Sequence, residues 1–322
     1  MKKKTILGVI LIILFQLLLS GCGEVRTLFK HLPGEKTQQV FKTGPGGAAK
    51  SEVQYNNMAV VIDTVVDVFE EADTKSRRIS QALYNQPLKI IEEKEYWTKV
   101  KLVDGSTGWI KSKYLDGDCT SIMASNYKYR IVITAKTKNI RWGAGNNVVA
   151  KDVVMGSEFY TQGKRDGGYE VALPQGQKGW IDVSGTIELE TADQIPKTEA
   201  LDFITTADKF RGATYQLGGI SSWGVDASGL TYICAKINGV NLPREVNAQC
   251  EAGREVKLEE AAAGDLIFFS TNEGQKDISH VGILLGDEKF LHANKSKGMV
   301  AVSALSESYY QKRIVGIRRI FE

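Results

Sequence analysis

The last third of the chain contains a stretch whose apolar positions follow the period of an α-helix. They recur at spacings of three and four residues and so share one helix face: Leu230, Ile233, Cys234 and Ile237. Asp226 precedes the stretch as a good N-cap, and Gly239 follows it as a good C-terminal cap. The pattern predicts a helix over about 227–238 with one buried face.

The middle of the chain, over about 58–184, has the shorter periods of β-strands. Its apolar positions alternate or form short runs between turn residues. The clearest runs are 88–91, 97–102 and 169–173. This part of the chain is therefore predicted to consist of short strands joined by tight turns.

The strand-rich region repeats itself once. Gly108-Trp109-Ile110 returns as Gly179-Trp180-Ile181, 71 residues later. Val66-Asp67-Val68 is matched by Asn139-Ile140-Arg141 at nearly the same offset. An internal repeat of this kind predicts two copies of one small β-barrel.

The two predicted barrels span 57–118 and 127–187. Trp109 and Trp180 occupy equivalent strand positions, where aromatic side chains usually pack into a core. Stacking on a ligand is the alternative role for these two rings. We expect both to be core or half-buried residues.

A short acidic connector, 188–196, separates the repeats from a second kind of domain over 197–322. The first part of this domain, 197–211, predicts a helix with one buried face. The apolar positions that define that face are Ala200, Phe203, Ile204, Ala207 and Phe210.

Two histidines lie in neighbouring strand-like runs near the end of the chain. His280 belongs to the run 278–285 and His292 to the run 289–293, with a short loop between them. An odd-length loop would place both imidazoles on one face of the hairpin, whereas a two-residue loop would separate them. Each histidine alone can be structural, but the pair offers a general base and a group that orients its ring.

The N-terminal residues have the pattern of a secretory signal. Three lysines precede an apolar run over 6–19, which is short for a membrane span. The run ends in Leu19-Ser20-Gly21-Cys22, which resembles a bacterial lipobox; an ordinary signal peptide with an incidental cysteine is the alternative. We expect a signal peptide over 1–21, lipidation of Cys22, and a flexible polar tether over 22–56.

The charge of the chain argues against a nucleic-acid partner. It has 41 lysines and arginines and 38 aspartates and glutamates, a net charge of +3. Three of the lysines lie in the expected signal peptide, so the rest of the chain is balanced. Membrane contact is expected through lipid on Cys22. We expect a monomer.

The other cysteines predict neither a disulfide framework nor a metal site. Cys119, Cys234 and Cys250 remain once Cys22 is set aside, and their spacings show no pairing. We therefore expect neither a metal nor another cofactor.

Several short motifs after residue 200 follow one another in the order of a known family. They are Tyr215 with Gly218-Gly219, Gly224-Val225-Asp226-Ala227-Ser228-Gly229-Leu230, Leu242-Pro243-Arg244, Gly264-Asp265-Leu266-Ile267-Phe268-Phe269, Ser279-His280-Val281-Gly282-Ile283 and Leu291-His292-Ala293. This region resembles the NlpC/P60 papain-like peptidases, and the repeats resemble bacterial SH3 domains, which accompany cell-wall hydrolases. The resemblance implies an α+β fold class, with a papain-like catalytic domain preceded by two small SH3-like β-barrels.

The resemblance also implies the parts of an active site. It places a nucleophilic cysteine at position 227, its base at His280 and its third polar residue at His292. The implied substrates are peptidoglycan stem peptides, cut between γ-D-glutamate and a diamino acid, either lysine or diaminopimelate. Such an enzyme would lie outside the cytoplasm, anchored to the membrane of the cell envelope by its lipid.

The implied substrate pocket has four members: Tyr215, Asp226, Ser228 and Arg244. In the family, the aspartate carboxylate pairs with the free N-terminal amine of L-Ala. Simpler roles stay open for each residue. Asp226 and Ser228 can cap the helix, Tyr215 can be a packing residue, and Arg244 can be a surface charge.

This sequence departs from the family at the attacking residue, because Ala227 stands where a cysteine is expected. A methyl group cannot attack a carbonyl carbon, and loss of the nucleophile in a comparable triad lowers the rate about a million-fold. Cys234 would lie nearly two helical turns away on the buried face, and Cys250 has no motif around it. Neither is a credible substitute.

Three hypotheses follow from the alanine. The chain is a cysteine endopeptidase whose nucleophile was replaced by design, or a natural non-catalytic binder of wall peptides, or a purely structural surface lipoprotein. We favour the first, because both histidines and the pocket residues are retained.

Overall fold

The computed structural model describes residues 55–321, apart from 144 and 146. The expected signal peptide, Cys22 and the tether up to residue 54 lie outside the described residues. In the part of the chain that is described, no helix has both the length and the apolarity needed to cross a bilayer.

Seven short antiparallel strands form the first sheet. They are β1 (Met58–Val61), β2 (Val65–Phe69), β3 (Arg78–Leu83), β4 (Pro87–Lys94), β5 (Trp97–Lys101), β6 (Thr107–Lys111) and β7 (Leu115–Asp116). Their order across the sheet is β3-β2-β6-β5-β4-β1-β7. Because successive side chains point to opposite faces, inward positions such as Val68, Val100 and Ile110 form a buried core.

The second sheet repeats this arrangement. Its strands are β8 (Tyr129–Ile133), β9 (Thr137–Arg141), β10 (Val148–Val154), β11 (Glu158–Arg165), β12 (Gly168–Ala172), β13 (Lys178–Asp182) and β14 (Thr186–Glu190). Their order, β10-β9-β13-β12-β11-β8-β14, is that of the first sheet with each strand number raised by seven. The last strand runs to Glu190, past the boundary of 187 that the sequence predicts.

The repeated tryptophans occupy the same strand in each sheet. Trp109 lies in β6 and Trp180 in β13, and they are 7% and 8% exposed. Both rings are thus part of the packing, which leaves little surface for stacking on a ligand.

The remaining strands belong to the C-terminal part of the chain. They are β15 (Ile220–Ser221), β16 (Gly224–Val225), β17 (Arg254–Glu255), β18 (Leu266–Ser270), β19 (Ile278–Gly286), β20 (Lys289–Asn294), β21 (Met299–Ala304) and β22 (Ile314–Arg319). The first two pair with each other, and the other six form a sheet in the order β17-β22-β18-β19-β20-β21.

The described part of the chain has four α-helices, all in this C-terminal region. They are α1 (Ala200–Asp208), α2 (Ala227–Ile237), α3 (Val246–Cys250) and α4 (Ser308–Gln311). Helix α1 is shorter than the predicted 197–211. It starts late because the Glu199 N–H bonds to the Asp202 carboxylate, and after Asp208 the chain changes to i→i+3 turns.

Helix α2 is buried where the three larger sheets meet. Ile233 on its apolar face is 1% exposed and belongs to one cluster with Leu83 of the first sheet and Met155 beside the second. Burying a side chain of this size contributes about 1.5–3 kcal/mol to stability. The helix is therefore held by the strand-rich region as well as by strand β19, against which it packs.

Candidate active site

Helix α2 begins at Ala227, and Asp226 caps it, as the sequence predicts. The Asp226 side chain accepts a hydrogen bond from the Gly229 N–H at 2.7 Å. A Cβ at position 229 would collide with the carbonyl oxygen of Gly219, so only glycine fits there. The first N–H groups of the helix lack intrahelical partners, and they form the positive end of the helix dipole. Ala227 occupies a position at which a thiolate or an oxyanion would be stabilised.

Arg244 and Asp226 form a buried ion pair beside this helix start. Arg244 Nη2 lies 2.8 Å from Asp226 Oδ2, and Arg244 Nη1 donates to Ser228 Oγ at 2.8 Å. The arginine is 4% exposed, so the simpler role of a surface charge is wrong. Three of the four predicted pocket residues thus belong to one hydrogen-bonded group.

The Asp226 carboxylate is engaged on both oxygens. Its Oδ1 receives the helix-capping bond, and its Oδ2 accepts from the Gly218 N–H at 2.7 Å as well as from Arg244. A substrate amine would therefore share a carboxylate that an arginine already neutralises. Tyr215, the fourth pocket residue, is half-buried nearby: burial and then the Asp226 charge raise the pKa of its phenol.

A β-bulge decides the relative orientation of the two histidines. The turn between β19 and β20 has two residues, 287–288, both with positive φ. That loop length alone would place the histidines on opposite faces. The pairing register shifts by one residue between Leu284 and Gly286, however. The extra residue restores equal parity, so His280 and His292 share a face.

The two imidazoles contact each other directly. His280 Nε2 lies 2.7 Å from His292 Nδ1. His292 Nε2 lies 3.2 Å from Ser303 Oγ and 3.3 Å from Asn294 Nδ2. Both ring nitrogens of His292 therefore have partners, and the tautomer of the ring decides which atom donates in each contact. His292 in turn sets the direction of the His280 ring, as a general base requires.

Burial lowers the pKa of both imidazoles. The pKa of His280 falls to about 4 because burial disfavours its charged form, an effect that the Asp226 charge partly offsets. Burial and then the neighbouring His280 lower the pKa of His292. Both rings are therefore neutral at pH 7, and His280 can accept a proton. Ala227 belongs to the same buried cluster as Val281 and Ala293, the chain neighbours of the two histidines, so the helix start lies beside the histidine strands.

These lowered pKa values make the fold sensitive to acid. Between the ordinary pKa of about 6.5 and the folded value of His280, an unfolded imidazole binds a proton that the folded one does not. The free energy of unfolding should therefore fall as the pH is lowered from 6.5 to 4. Replacing His280 with glutamine should remove roughly 1–3 kcal/mol of this loss. Urea unfolding at several pH values measures it.

The matched control for this acid experiment is Ser279→Ala, at the exposed neighbouring position. It should leave the dependence of stability on pH unchanged. Parallel curves for the parent and His280→Gln would show that His280 does not titrate with a lowered pKa.

Residues of the first sheet reach the segment that precedes helix α2. Arg78 Nη1 donates to the Leu217 carbonyl at 3.1 Å, and Gln81 Oε1 accepts from the Ile220 N–H at 3.0 Å. Gly218 lies against Arg78, since a Cβ there would come within 2.5 Å of the Arg78 carbonyl oxygen. Each hydrogen bond joins residues 139 positions apart, so no local sequence signal reveals it.

A cavity of about 310 Å³ opens between the first sheet and the segment before Ala227. Its walls include Asp67 and Lys111 from the first sheet and Gln216 and Trp223 from the C-terminal part. Trp223 is 49% exposed, which is unusual for a large ring beside a buried helix start. Sequence reasoning missed these first-sheet residues because only tertiary packing brings them to the site.

The cysteines of the described region do not replace the missing nucleophile. Cys119, Cys234 and Cys250 are unpaired and buried. Burial raises the pKa of all three thiols, that of Cys119 to about 11. They are therefore neutral thiols near pH 7, and the thiolate is the reactive form.

Comparison with known proteins assigns two regions of the chain. Residues 212–319 match the NlpC/P60 family, and residues 64–116 match the bacterial SH3 domain. A γ-D-glutamyl-L-lysine dipeptidyl-peptidase of Bacillus subtilis (strain 168) is 38% identical over 152 residues, which are 45% of this chain and 51% of that protein. The chain thus spans about half the length of this relative.

Two further relatives extend the comparison. The probable endopeptidase NlpC of Escherichia coli (strain K12) is 38% identical over 112 residues, 34% of this chain and 71% of that protein. The crystal structure of an NlpC/P60 family protein from Bacillus cereus ATCC 10987 superposes with a TM-score of 0.76 at 23% identity, over 82% of this chain and all of that one. The folds are therefore alike over both kinds of domain, and the chain belongs to the NlpC/P60 family.

Proposed function

We propose that this chain is a form of a peptidoglycan stem-peptide hydrolase that binds its peptide and does not cut it. The parent activity would be that of a cysteine endopeptidase acting between γ-D-glutamate and a diamino acid, and Ala227 would be the cause of inactivity. The observation that carries the proposal is the neutral His280–His292 pair beside the start of helix α2. The similarity to a γ-D-glutamyl-L-lysine dipeptidyl-peptidase supports the substrate class.

With a cysteine at position 227, the site would carry out acyl transfer. His280 would take the thiol proton, and the thiolate would attack the γ-glutamyl carbonyl carbon. N–H groups at the start of α2 would stabilise the tetrahedral oxyanion. His280 would protonate the leaving amine as the C–N bond breaks, then deprotonate the water that hydrolyses the thioester. Ala227 has no sulfur, so no acyl-enzyme can form.

The proposed pocket residues would place the peptide for this attack. Tyr215 would line the pocket and Ser228 would orient Arg244, which holds the Asp226 carboxylate. Asp226 would receive the free amine of L-Ala, in addition to capping the helix. Asp226 pairs with Arg244, so the charge of the carboxylate is already balanced before an amine binds.

A natural non-catalytic binder of wall peptides is the second candidate. The observation that favours it is Ala227 itself, since the peptide-facing groups are complete without a nucleophile. This candidate shares the proposed ligand and differs from the first in that cysteine at 227 would not create an enzyme.

The proposal also covers the second sheet, the fold of the C-terminal domain and the N-terminus. The second sheet would be another SH3-like barrel, since its strand order is that of the first, in which residues 64–116 match the bacterial SH3 domain. The C-terminal domain would have the papain-like α+β fold. The chain would work as a monomer outside the cytoplasm, attached to the membrane through lipid on Cys22.

Calorimetry tests peptide binding by the Ala227 protein. Titration with L-Ala-γ-D-Glu-L-Lys should show binding, and the peptide should be recovered intact. Replacing Tyr215 with phenylalanine removes one hydroxyl from the pocket and should weaken binding about 2–10-fold, the range for one hydrogen bond.

The matched control is Tyr96→Phe, at a side chain that is 80% exposed. It should bind like the parent. Absence of binding to the parent protein would contradict both the inactive-peptidase and the natural-binder candidates.

A further inference from the structure

A second cavity lies where the two repeated sheets meet the C-terminal domain. Its volume is about 730 Å³, within the range of small-molecule sites. Residues of the first sheet, of the second sheet and of helix α2 all contribute to its wall. Lys236 lies in this wall, nine residues after Ala227, which is roughly 13 Å along the helix. The cavity wall includes none of the residues assigned to the candidate active site.

Three charged side chains form one group in the wall of this cavity. Lys236 Nζ lies 2.7 Å from Glu158 Oε1, and Arg130 Nη1 lies 2.8 Å from Glu158 Oε2. Their side chains are 25%, 21% and 17% exposed for Lys236, Glu158 and Arg130, respectively. Burial would raise the pKa of Glu158, but the two cations outweigh it and lower the pKa, so all three groups are charged.

The group has more hydrogen-bond donors than its single carboxylate satisfies. Within the described residues, Glu158 is the ion-pair partner of Lys236, which leaves two of the three ammonium hydrogens for another acceptor. Arg130 Nη2 donates to the Asp193 carbonyl oxygen, and Arg130 Nε has no hydrogen-bond partner among the described residues. Asp104, a second carboxylate in the wall, is partly buried and accepts the Ser106 N–H, so the four charged side chains of the wall balance one another.

Ser157 contributes a further unsatisfied hydrogen-bonding group to the wall of this cavity. It is 1% exposed and lines the same cavity. Its Oγ is buried and has no hydrogen-bond partner in the described part of the chain. A buried hydroxyl without a partner is costly, and native proteins seldom leave one unsatisfied. The Lys236 ammonium and the Arg130 Nε–H can only donate and the Ser157 hydroxyl can also donate, so a complementary ligand brings hydrogen-bond acceptors.

We propose that this junction cavity is a second binding site, which takes the carboxylate of a small organic acid between Lys236, Arg130 and Ser157. The carboxylate would accept from the Lys236 ammonium and the Ser157 hydroxyl. Tyr84, Tyr160 and Tyr232 also line the cavity and would contact the body of the acid. The site does not depend on the identity of residue 227.

Calorimetry on the full chain tests this site with three probes at millimolar concentration. N-acetylmuramic acid and glutarate carry carboxylates, on a sugar and on an aliphatic body, whereas N-acetylglucosamine is the sugar without the acid. We expect at least one acid to bind and N-acetylglucosamine not to bind. Binding of both acids would mean that the carboxylate suffices, and binding of N-acetylmuramic acid alone that the sugar body contributes.

Two variants locate the binding. Lys236→Gln should weaken it at least tenfold, and Ser157→Ala, which keeps all three charges, should weaken it severalfold. The control is Lys209→Gln, since Lys209 also bridges the second sheet and the C-terminal domain but lies outside the cavity. The proposal is overturned if neither acid binds, if N-acetylglucosamine binds equally well, or if Ser157→Ala binds like the parent.

Discussion

Cysteine at position 227 should turn this protein into a peptidase. In the Ala227→Cys variant, hydrolysis of L-Ala-γ-D-Glu-L-Lys should rise from background by about a million-fold in kcat, the contribution of the nucleophile in a comparable triad. The physical reason is that the other parts are in place: a neutral base at His280, its orienting partner His292, and a helix N-terminus that favours a thiolate. The rate is measured as the amount of free lysine released over time, which chromatography quantifies.

Two control variants separate this outcome from adventitious thiol chemistry. Leu201→Cys adds a thiol on helix α1 at a side chain that is 72% exposed, away from any base. It should show no cleavage. Adding His280→Ala to Ala227→Cys should remove most of the gained rate, since the thiol then lacks its base. A folded Ala227→Cys protein that binds the peptide without cutting it would favour the natural-binder candidate.

Loss of Arg244 should strongly destabilise the protein. Arg244→Leu removes the cation that pairs with Asp226, and both side chains are nearly buried. Removing one partner of a buried ion pair typically costs about 3–5 kcal/mol, because the remaining charge stays buried without compensation. We expect the lower end of that range, since Asp226 keeps its bonds to the Gly218 and Gly229 N–H groups. Urea unfolding measures the change.

The matched control is an exposed ion pair in the same domain. Arg211 pairs with Asp208, and the two side chains are 54% and 49% exposed. Arg211→Leu should cost less than about 1 kcal/mol, because water and salt screen the pair. Peptide binding should weaken in Arg244→Leu but not in Arg211→Leu. Equal stability losses in the two variants would contradict the view that Arg244 holds Asp226 inside the site.

Much of the fold could be predicted from local pattern. The sequence predicts helix α2 over about 227–238, and the helix runs from Ala227 to Ile237, because its periodicity and both caps agree. The sequence predicts helix α1 as too long, since apolar spacing does not show where capping begins. The internal repeat led to the expectation of two similar strand-rich units, and the two sheets have the same strand order.

The candidate site could be predicted only in part. The local sequence predicts Asp226 as a helix cap, and it predicts the two histidines as a pair in adjacent strands. Arg244 is named as a pocket residue only through the family resemblance, because a lone arginine in a loop resembles a surface charge until its burial is known. The contributions of Arg78 and Gln81 were also missed, since their contacts join distant parts of the chain.

The sequence by itself determined two features of the candidate site. One is the alanine at the start of a capped helix, and the other is the presence of two histidines in neighbouring strands. Those properties are local, since they depend on residue type and spacing along one element. Only the tertiary structure decided that His280 and His292 touch, because a bulge between Leu284 and Gly286 offsets the parity of a two-residue turn. Register and burial arise from pairing between distant segments, which local pattern does not record.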